Sequence, residues 1–82
     1  NIERAINKSS INKLYVYGNH IKKTYEGLTE SKKGLVLNNI FQINDLINNS
    51  LSNNDYLMVK GSNSTGLYKK SQLLKLNKSN AL

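Results

Sequence analysis

Residues 55–63 read Asp-Tyr-Leu-Met-Val-Lys-Gly-Ser-Asn, and the other elements of the chain can be arranged around this segment. Its apolar residues, from Tyr56 to Val59, follow one another without alternation. Such a run is typical of a strand that is covered on both faces, as in the parallel sheets of α/β proteins. Asparagines before the strand indicate a turn, and Gly61 allows the backbone to turn sharply after Lys60. The segment therefore predicts a buried strand that ends in a tight polar loop.

Strand and helix patterns alternate along the rest of the chain, which favours an α/β fold with a parallel sheet and right-handed crossovers. No proline interrupts any of these patterns. The first predicted elements are the end of a helix over residues 2–6, a strand over 13–17 and a helix over 21–28 with Asn19 as its N-cap. A short strand at 35–37 or at 40–41 and a helix over 43–51 come next. The strand over 56–59 is followed by a helix that runs toward Leu76 and is capped by one of the polar residues 62–65.

The polar loop after the third predicted strand is the candidate site, because ligands of open α/β sheets bind just beyond the carboxyl ends of the strands. The residues that we expect near a substrate or nucleotide are Lys60, Gly61, Ser62, Asn63 and Ser64.

Residues 61–66 also have the two-glycine spacing of a phosphate loop, in the predicted position between a strand and a helix. Leu67 and Tyr68 stand where such a loop needs lysine and a magnesium-binding hydroxyl, which argues against nucleotide hydrolysis. Anion binding by backbone N–H groups and an ordinary strand-to-helix turn both remain open.

The composition limits the other functions. The 82 residues make one small domain at most, with no cysteine and no apolar run of the length that spans a bilayer, so we expect a cytoplasmic protein without a membrane partner. The net charge is +7, but the lysines lie in scattered pairs, which favours solvated surfaces over a dedicated nucleic-acid interface. His20 is the only histidine, and no carboxylate pair suggests acid–base catalysis, so we predict no catalytic and no metal-binding residue.

Several segments resemble the C-terminal domain of the Mur ligases. The likeness is greatest to the members that add D-alanyl-D-alanine to UDP-N-acetylmuramoyl-tripeptide, and its sharpest motif is Lys60-Gly61-Ser62. Tyr68 departs from the family, in which an acidic residue is common at that position. The matching segments, in chain order, are residues 14–18, 41–51 and 57–62. Asn63, Ser64 and Leu67 then fit the polar residue, the small residue and the early apolar position of the helix that follows this strand in the family.

The resemblance implies an ATP-dependent enzyme of peptidoglycan precursor synthesis with three domains. ATP would phosphorylate the carboxylate of the UDP-linked tripeptide, and the amine of D-alanyl-D-alanine would attack the acyl phosphate. ATP and Mg²⁺ would be bound mainly by a central domain outside this chain. Residues 1–82 would then form the C-terminal part of the Rossmann-like last domain, with flanking helices, and would be inactive alone.

Two further expectations come from this sequence. If earlier strands of the domain belong to another part of a longer protein, one hydrophobic edge of the sheet lacks its neighbour, and the fragment should self-associate or be marginally stable.

The alternative function is a small basic α/β module that binds nucleic acid or phosphate ligands.

Overall fold

The computed structural model of the chain describes residues 2–61 and 64–78. A 3₁₀ turn precedes the second strand, and a π-helical turn extends the third helix. The helices and strands are α1 (Ile2–Lys8), β1 (Leu14–Gly18), α2 (Lys22–Glu26), the 3₁₀ turn (Glu30–Lys32), β2 (Lys33–Leu37), α3 (Ile40–Asp45), the π-helical turn (Leu46–Ser50), β3 (Tyr56–Lys60), β4 (Thr65–Lys69) and α4 (Lys70–Lys78).

Within the described residues, the strands form one mixed sheet in the order β2-β1-β3-β4. β1 runs parallel to both β2 and β3, whereas β4 runs antiparallel to β3. The predicted α/β class, with a mostly parallel sheet and flanking helices, is therefore confirmed. The expectation of three strands, all parallel, is wrong, because a fourth strand follows β3 directly.

The third strand is covered on both faces, as its uninterrupted apolar run predicted. Leu57 and Met58 are 0% and 1% exposed, and they belong to separate hydrophobic clusters on opposite faces of the sheet. Leu57 packs with residues of α3 and α4, including Ile43 and Leu73. Met58 packs in the second cluster, which includes Ile6 of α1. Because the side chains of a strand alternate between its faces, burial on both sides requires an apolar residue at every position.

The segment after the polar loop is a strand rather than a helix, so the predicted helix that begins within residues 62–65 is wrong. From Thr65 to Lys69 the side chains alternate between exposed and half-buried, which is the period of a strand. Tyr68, on the inner side, packs against the cluster that contains Leu57. The antiparallel return therefore covers more of the core, and α4 begins only at Lys70.

The remaining differences lie at the ends of elements. The second helix is limited to α2, and its N-cap is Ile21 rather than the predicted Asn19. The second strand lies at 33–37, which settles the two alternatives in favour of the first, while Phe41 belongs to α3. The helix α3 has a side-chain cap, since Asn39 Oδ1 accepts a hydrogen bond of 3.0 Å from the Gln42 backbone N–H.

The glycine that ends β1 lies against the backbone of β3. Gly18 has φ of +123°, and a Cβ atom there would lie 2.0 Å from the Lys60 carbonyl oxygen. Both the left-handed backbone and this contact require glycine.

We predict that Gly18→Ala lowers the free energy of unfolding by at least about 2 kcal/mol, because it adds backbone strain and a steric clash. Gly61→Ala is the matched control, since a Cβ atom there would meet its nearest neighbour at 3.6 Å. Urea unfolding followed by circular dichroism measures both changes. Equal stability of the Gly18→Ala variant and the parent chain would contradict the close approach.

Candidate functional site

The carboxyl ends of β1 and β3 meet at one edge of the sheet. Gly18 and Lys60 face each other in the parallel register, and each is the last residue of its strand. The backbone N–H of Asn19 donates a hydrogen bond of 2.9 Å to the carbonyl oxygen of Lys60. The chain that leaves β1 is therefore fixed beside the residue at which the candidate loop begins.

The candidate loop is the turn of a β-hairpin. Lys60 pairs with Thr65 across the hairpin, and the backbone N–H of Gly61 donates a hydrogen bond of 2.8 Å to the carbonyl oxygen of Ser64. Lys60 is half-buried, whereas Gly61 and Ser64 are exposed. The predictions for Ser62 and Asn63 lie outside the described residues.

This geometry corrects the phosphate-loop interpretation of residues 61–66. A phosphate loop presents successive backbone N–H groups at the start of a helix. Here the backbone N–H of Gly61 already donates a hydrogen bond to the Ser64 carbonyl oxygen, and residues 65–69 pair with β3. Anion binding at a helix start is therefore excluded for this segment.

An open cleft of about 720 Å³ lies beside Lys60, on the side of the sheet that α1 and α2 cover. The basic groups that line it come from three separate places in the chain: the turn after β1, the first turn of α2 and the end of β3. Glu3 is the acidic residue in the lining. The full lining is Ile2, Glu3, His20, Lys22, Lys23, Thr24 and Lys60.

The charge of this cleft suits an anion. Three lysines and a histidine face one carboxylate, so the lining carries a net positive charge at neutral pH. Ammonium groups on flexible stems act as point charges toward phosphate or carboxylate oxygens. A cleft of several hundred Å³ has the size of a small-molecule site. The arrangement can bind and orient an anionic ligand, but it holds no pair of groups suited to acid–base or nucleophilic catalysis.

Sequence reasoning located Lys60 but missed its neighbours. The predicted N-cap at Asn19 would place His20 in the first turn of the helix, whereas His20 precedes α2 with a left-handed φ of 54°. Lys22 and Lys23 were assigned to a scattered charge pattern. The available signal is topological and incomplete: parallel strands end at the same edge of a sheet, which places the residues after β1 at the edge where β3 ends. That they lie beside Lys60 follows from the pairing of β1 with β3, which the structure supplies.

A second cleft, of about 490 Å³, lies at the opposite end of the strands and has a structural role. Lys32, which lines it, donates hydrogen bonds from its ammonium group to the carbonyl oxygens of Ser9 and Ile11. The neighbouring Asp55 is 3% exposed and accepts from Asn12 Nδ2 at 3.0 Å and from the Ser52 N–H at 2.9 Å. These bonds join the loops that enter β1 and β3.

Shifted pKa values are found away from the cationic cleft. Burial raises the pKa of the Tyr15 hydroxyl, and the charge of Asp55 raises it further. On the surface, a hydrogen bond from the ammonium of Lys33 lowers the pKa of Glu30, and the same 2.8 Å contact raises the pKa of Lys33. These shifts reflect core packing and one exposed ion pair rather than a reactive centre.

Comparison with protein-family models, with curated proteins and with solved structures found no match to this chain. None of the described helices is of a kind that crosses a bilayer, and α4, which spans nine residues, is far shorter than the roughly 20 that a crossing requires. The class of the molecule is thus defined by its own architecture: an α/β domain with a mixed four-stranded sheet and a cationic cleft at the carboxyl ends of β1 and β3.

We predict that Asp55→Ala lowers the free energy of unfolding by about 1–3 kcal/mol, because it removes an acceptor from two part-buried donors. Asp45→Ala is the matched control, since Asp45 is exposed and its hydrogen bond to Asn49 lies at the surface. Thermal and urea unfolding of both variants measure the difference. An Asp55→Ala variant as stable as the control would show that these bonds do not hold the loops together.

We also predict that inorganic pyrophosphate shifts the amide resonances of residues 18–24 and 60–61. Lys60→Gln should weaken its affinity roughly 3- to 10-fold, since a charge-assisted contact contributes about 1 kcal/mol at a solvated site. Lys69→Gln is the control, because Lys69 is an exposed lysine at the far end of the same hairpin. Equal weakening by both variants would indicate binding by overall charge alone.

Proposed function

We propose that this chain is the C-terminal part of the last domain of the Mur ligase that adds D-alanyl-D-alanine to UDP-N-acetylmuramoyl-tripeptide. The reaction belongs to peptidoglycan precursor synthesis, it consumes ATP, and it takes place in the cytoplasm. In this proposal the sheet is the carboxyl half of a Rossmann-like domain. The fragment alone has no ligase activity, because the nucleotide-hydrolysing machinery belongs to a central domain.

The observation that carries the proposal is the position of the Lys60-Gly61 end of β3. The segments that resemble the family pack as neighbours: residues 14–18 form β1, residues 57–60 lie in β3, and residues 41–50 belong to α3 and the π-helical turn that follows it. Leu67 departs from the resemblance, because it lies in β4 and not in a helix after β3. The most specific part of the resemblance thus lies where a buried strand ends beside a cleft with a positive lining. A domain that closes over an acyl phosphate and a nucleotide needs cations at that edge.

The roles of individual residues follow from their chemistry. Lys60 supplies a positive charge toward the anionic groups of the substrate or nucleotide, and Gly61 begins the turn that follows it. Ser64, together with Ser62 and Asn63, supplies polar groups near the ligand. Lys22, which lines the cleft with Lys60, adds positive charge on the β1 side, and the His20 imidazole adds a polar group there.

Magnesium does not fit the residues of this chain that the structure describes. They contain no group of three histidine, cysteine, aspartate or glutamate side chains that could hold a metal ion. The cationic lining of the cleft would also repel Mg²⁺. We therefore assign Mg²⁺ to the central domain, and ATP mainly to that domain, with the cleft contacting at most the anionic groups of its ligands.

The gene that encodes the chain provides the first test. We expect the region upstream of Asn1 to encode a central ATPase domain of the Mur ligase type. An unrelated upstream region would overturn the proposal.

The full-length protein provides the second test. It should join D-alanyl-D-alanine to UDP-N-acetylmuramoyl-tripeptide in the presence of ATP and Mg²⁺, as followed by mass spectrometry of the product. Lys60→Ala should lower kcat/KM roughly tenfold or more, because a charge contact worth about 1.4 kcal/mol changes a rate tenfold. Lys69→Ala, at the opposite end of the hairpin, should leave kcat/KM unchanged. A full-length protein without ligase activity would contradict the assignment.

The alternative proposal is a small basic module that binds nucleic acid or phosphate ligands, and the net charge of +7 together with the cationic cleft favours it. This module would bind RNA or DNA with a steep dependence on salt, because each phosphate contact releases counterions. Filter binding at low and high salt separates the two functions. Absence of binding at low salt would exclude the nucleic-acid module.

A further inference from the structure

No described strand pairs with the outer edge of β2, and the Tyr25 hydroxyl donates a hydrogen bond of 3.0 Å to the Gly34 carbonyl oxygen near the start of this strand. β2 pairs with β1 on one side, and the sheet order places it at the end of the sheet. The pairing with β1 is irregular between Leu14 and Val16, where β2 contains one residue more than β1. Such a bulge at an edge strand increases the local twist and interrupts the regular ladder. The backbone N–H and C=O groups beyond it are available to another strand.

The side chains at this edge are unusually apolar for a surface. Leu35 is 60% exposed, and Val36 is also exposed. On the first turn of α3, Ile40 is exposed and Phe41 is 78% exposed. A groove of about 200 Å³ runs between β2 and α3, lined by Leu35, Val36, Leu37, Gln42, Asp45, Leu46 and Ser50. We call these residues, with Ile40 and Phe41, the β2 surface. A set of exposed apolar side chains beside a groove is typical of an interaction surface.

The distribution of charge indicates what covers this surface. Residues 34–54, which form most of it, contain Asp45 as their sole charged residue. The chain as a whole has twelve basic and five acidic residues, so all of its excess positive charge lies outside residues 34–54. At the start of β2, the ammonium of Lys33 is already paired with Glu30 at 2.8 Å. A nucleic acid or an acidic peptide would find no cationic attraction here.

A second copy of the same chain fits these properties. Two chains of charge +7 repel each other, and the repulsion is weakest where they meet through a nearly uncharged surface. A two-fold axis beside β2 would place the two edge strands antiparallel, so that each satisfies the backbone groups of the other. The same axis would bring the two sets of exposed apolar side chains together, which removes both from water.

We propose that the chain forms a symmetric dimer through antiparallel pairing of β2 with β2 of a second copy, which makes one continuous sheet of eight strands. The inference concerns the 82-residue chain and the edge formed by β2, not the cleft at Lys60. In the proposed ligase, the earlier strands of the last domain would compete for this edge, so a dimer of the 82-residue chain and ligase activity of the full-length protein are tested separately.

Sedimentation of the 82-residue chain over a concentration and salt series tests the dimer. We expect a reversible monomer–dimer equilibrium that shifts toward the dimer as added salt screens the net charge. Leu35→Lys should raise the dissociation constant at least tenfold, since it places a charge in an apolar contact. The matched control is Leu67→Lys, because Leu67 is a 40% exposed leucine on β4, the other edge strand.

Hydrogen exchange of the amides in β2 gives a second readout that does not depend on a variant. The outer amides should exchange more slowly at high protein concentration, while the amides of β4 should not change. A chain that stays monomeric at every concentration and salt would overturn the proposal. So would equal weakening by Leu35→Lys and Leu67→Lys, or a concentration effect on β4 rather than on β2.

Discussion

The parallel pairing of β1 with β3 is the interaction on which the rest of the structure depends. The two strands are in register from Leu14 opposite Tyr56 to Gly18 opposite Lys60. Hydrogen bonds of the flanking loops extend the contact at both ends, through the Tyr56 N–H to the Lys13 carbonyl and through the Asn19 N–H to the Lys60 carbonyl. These strands separate the two hydrophobic clusters, so each cluster is built on one face of the same pair.

The two ends of this pair have different roles because different residues end there. At the amino ends, the buried carboxylate of Asp55 ties together the loops that enter the strands. At the carboxyl ends, Gly18 lets the two backbones approach closely. The chain then continues toward α2 after β1 and returns in β4 after β3. The first end is fixed by buried hydrogen bonds. The second is left with exposed polar and cationic groups, among them Lys60, which is where a ligand can bind.

The strands in the core could be predicted from the sequence because their patterns are strong and local. The unbroken run from Tyr56 to Val59 has one good explanation, which is burial on both faces. The β4 strand was missed for an equally local reason. Residues 62–65 are polar and resemble a helix cap, and the short alternation in Thr65–Lys69 is a weak signal beside them. Its pairing with β3 depends on long-range packing of Tyr68, which no window of sequence contains.

The candidate site, like the fold, could be predicted only in part from the sequence. Lys60 was predictable because it ends a recognisable buried strand. His20 and Lys22 were not, because their proximity to Lys60 depends on which strands are neighbours, and the sheet order cannot be read from spacing. An open hydrophobic edge of the sheet was expected from the sequence. Among the described strands, β2 forms one edge, and exposed apolar residues lie both in β2 and in the first turn of the helix that follows it.

NMR of the 82-residue chain is the most direct test of the sheet edge that positions Lys60. If the loop after β3 is a hairpin turn, cross-strand NOEs should connect facing residues of β3 and β4, such as Met58 with Leu67 and Leu57 with Tyr68. Similar contacts should connect β1 with β3 in the parallel register, including Val16 with Met58. Strong sequential amide contacts and i to i+3 contacts through residues 65–69, with no cross-strand NOEs, would instead show a helix that follows β3 directly and would contradict this structure.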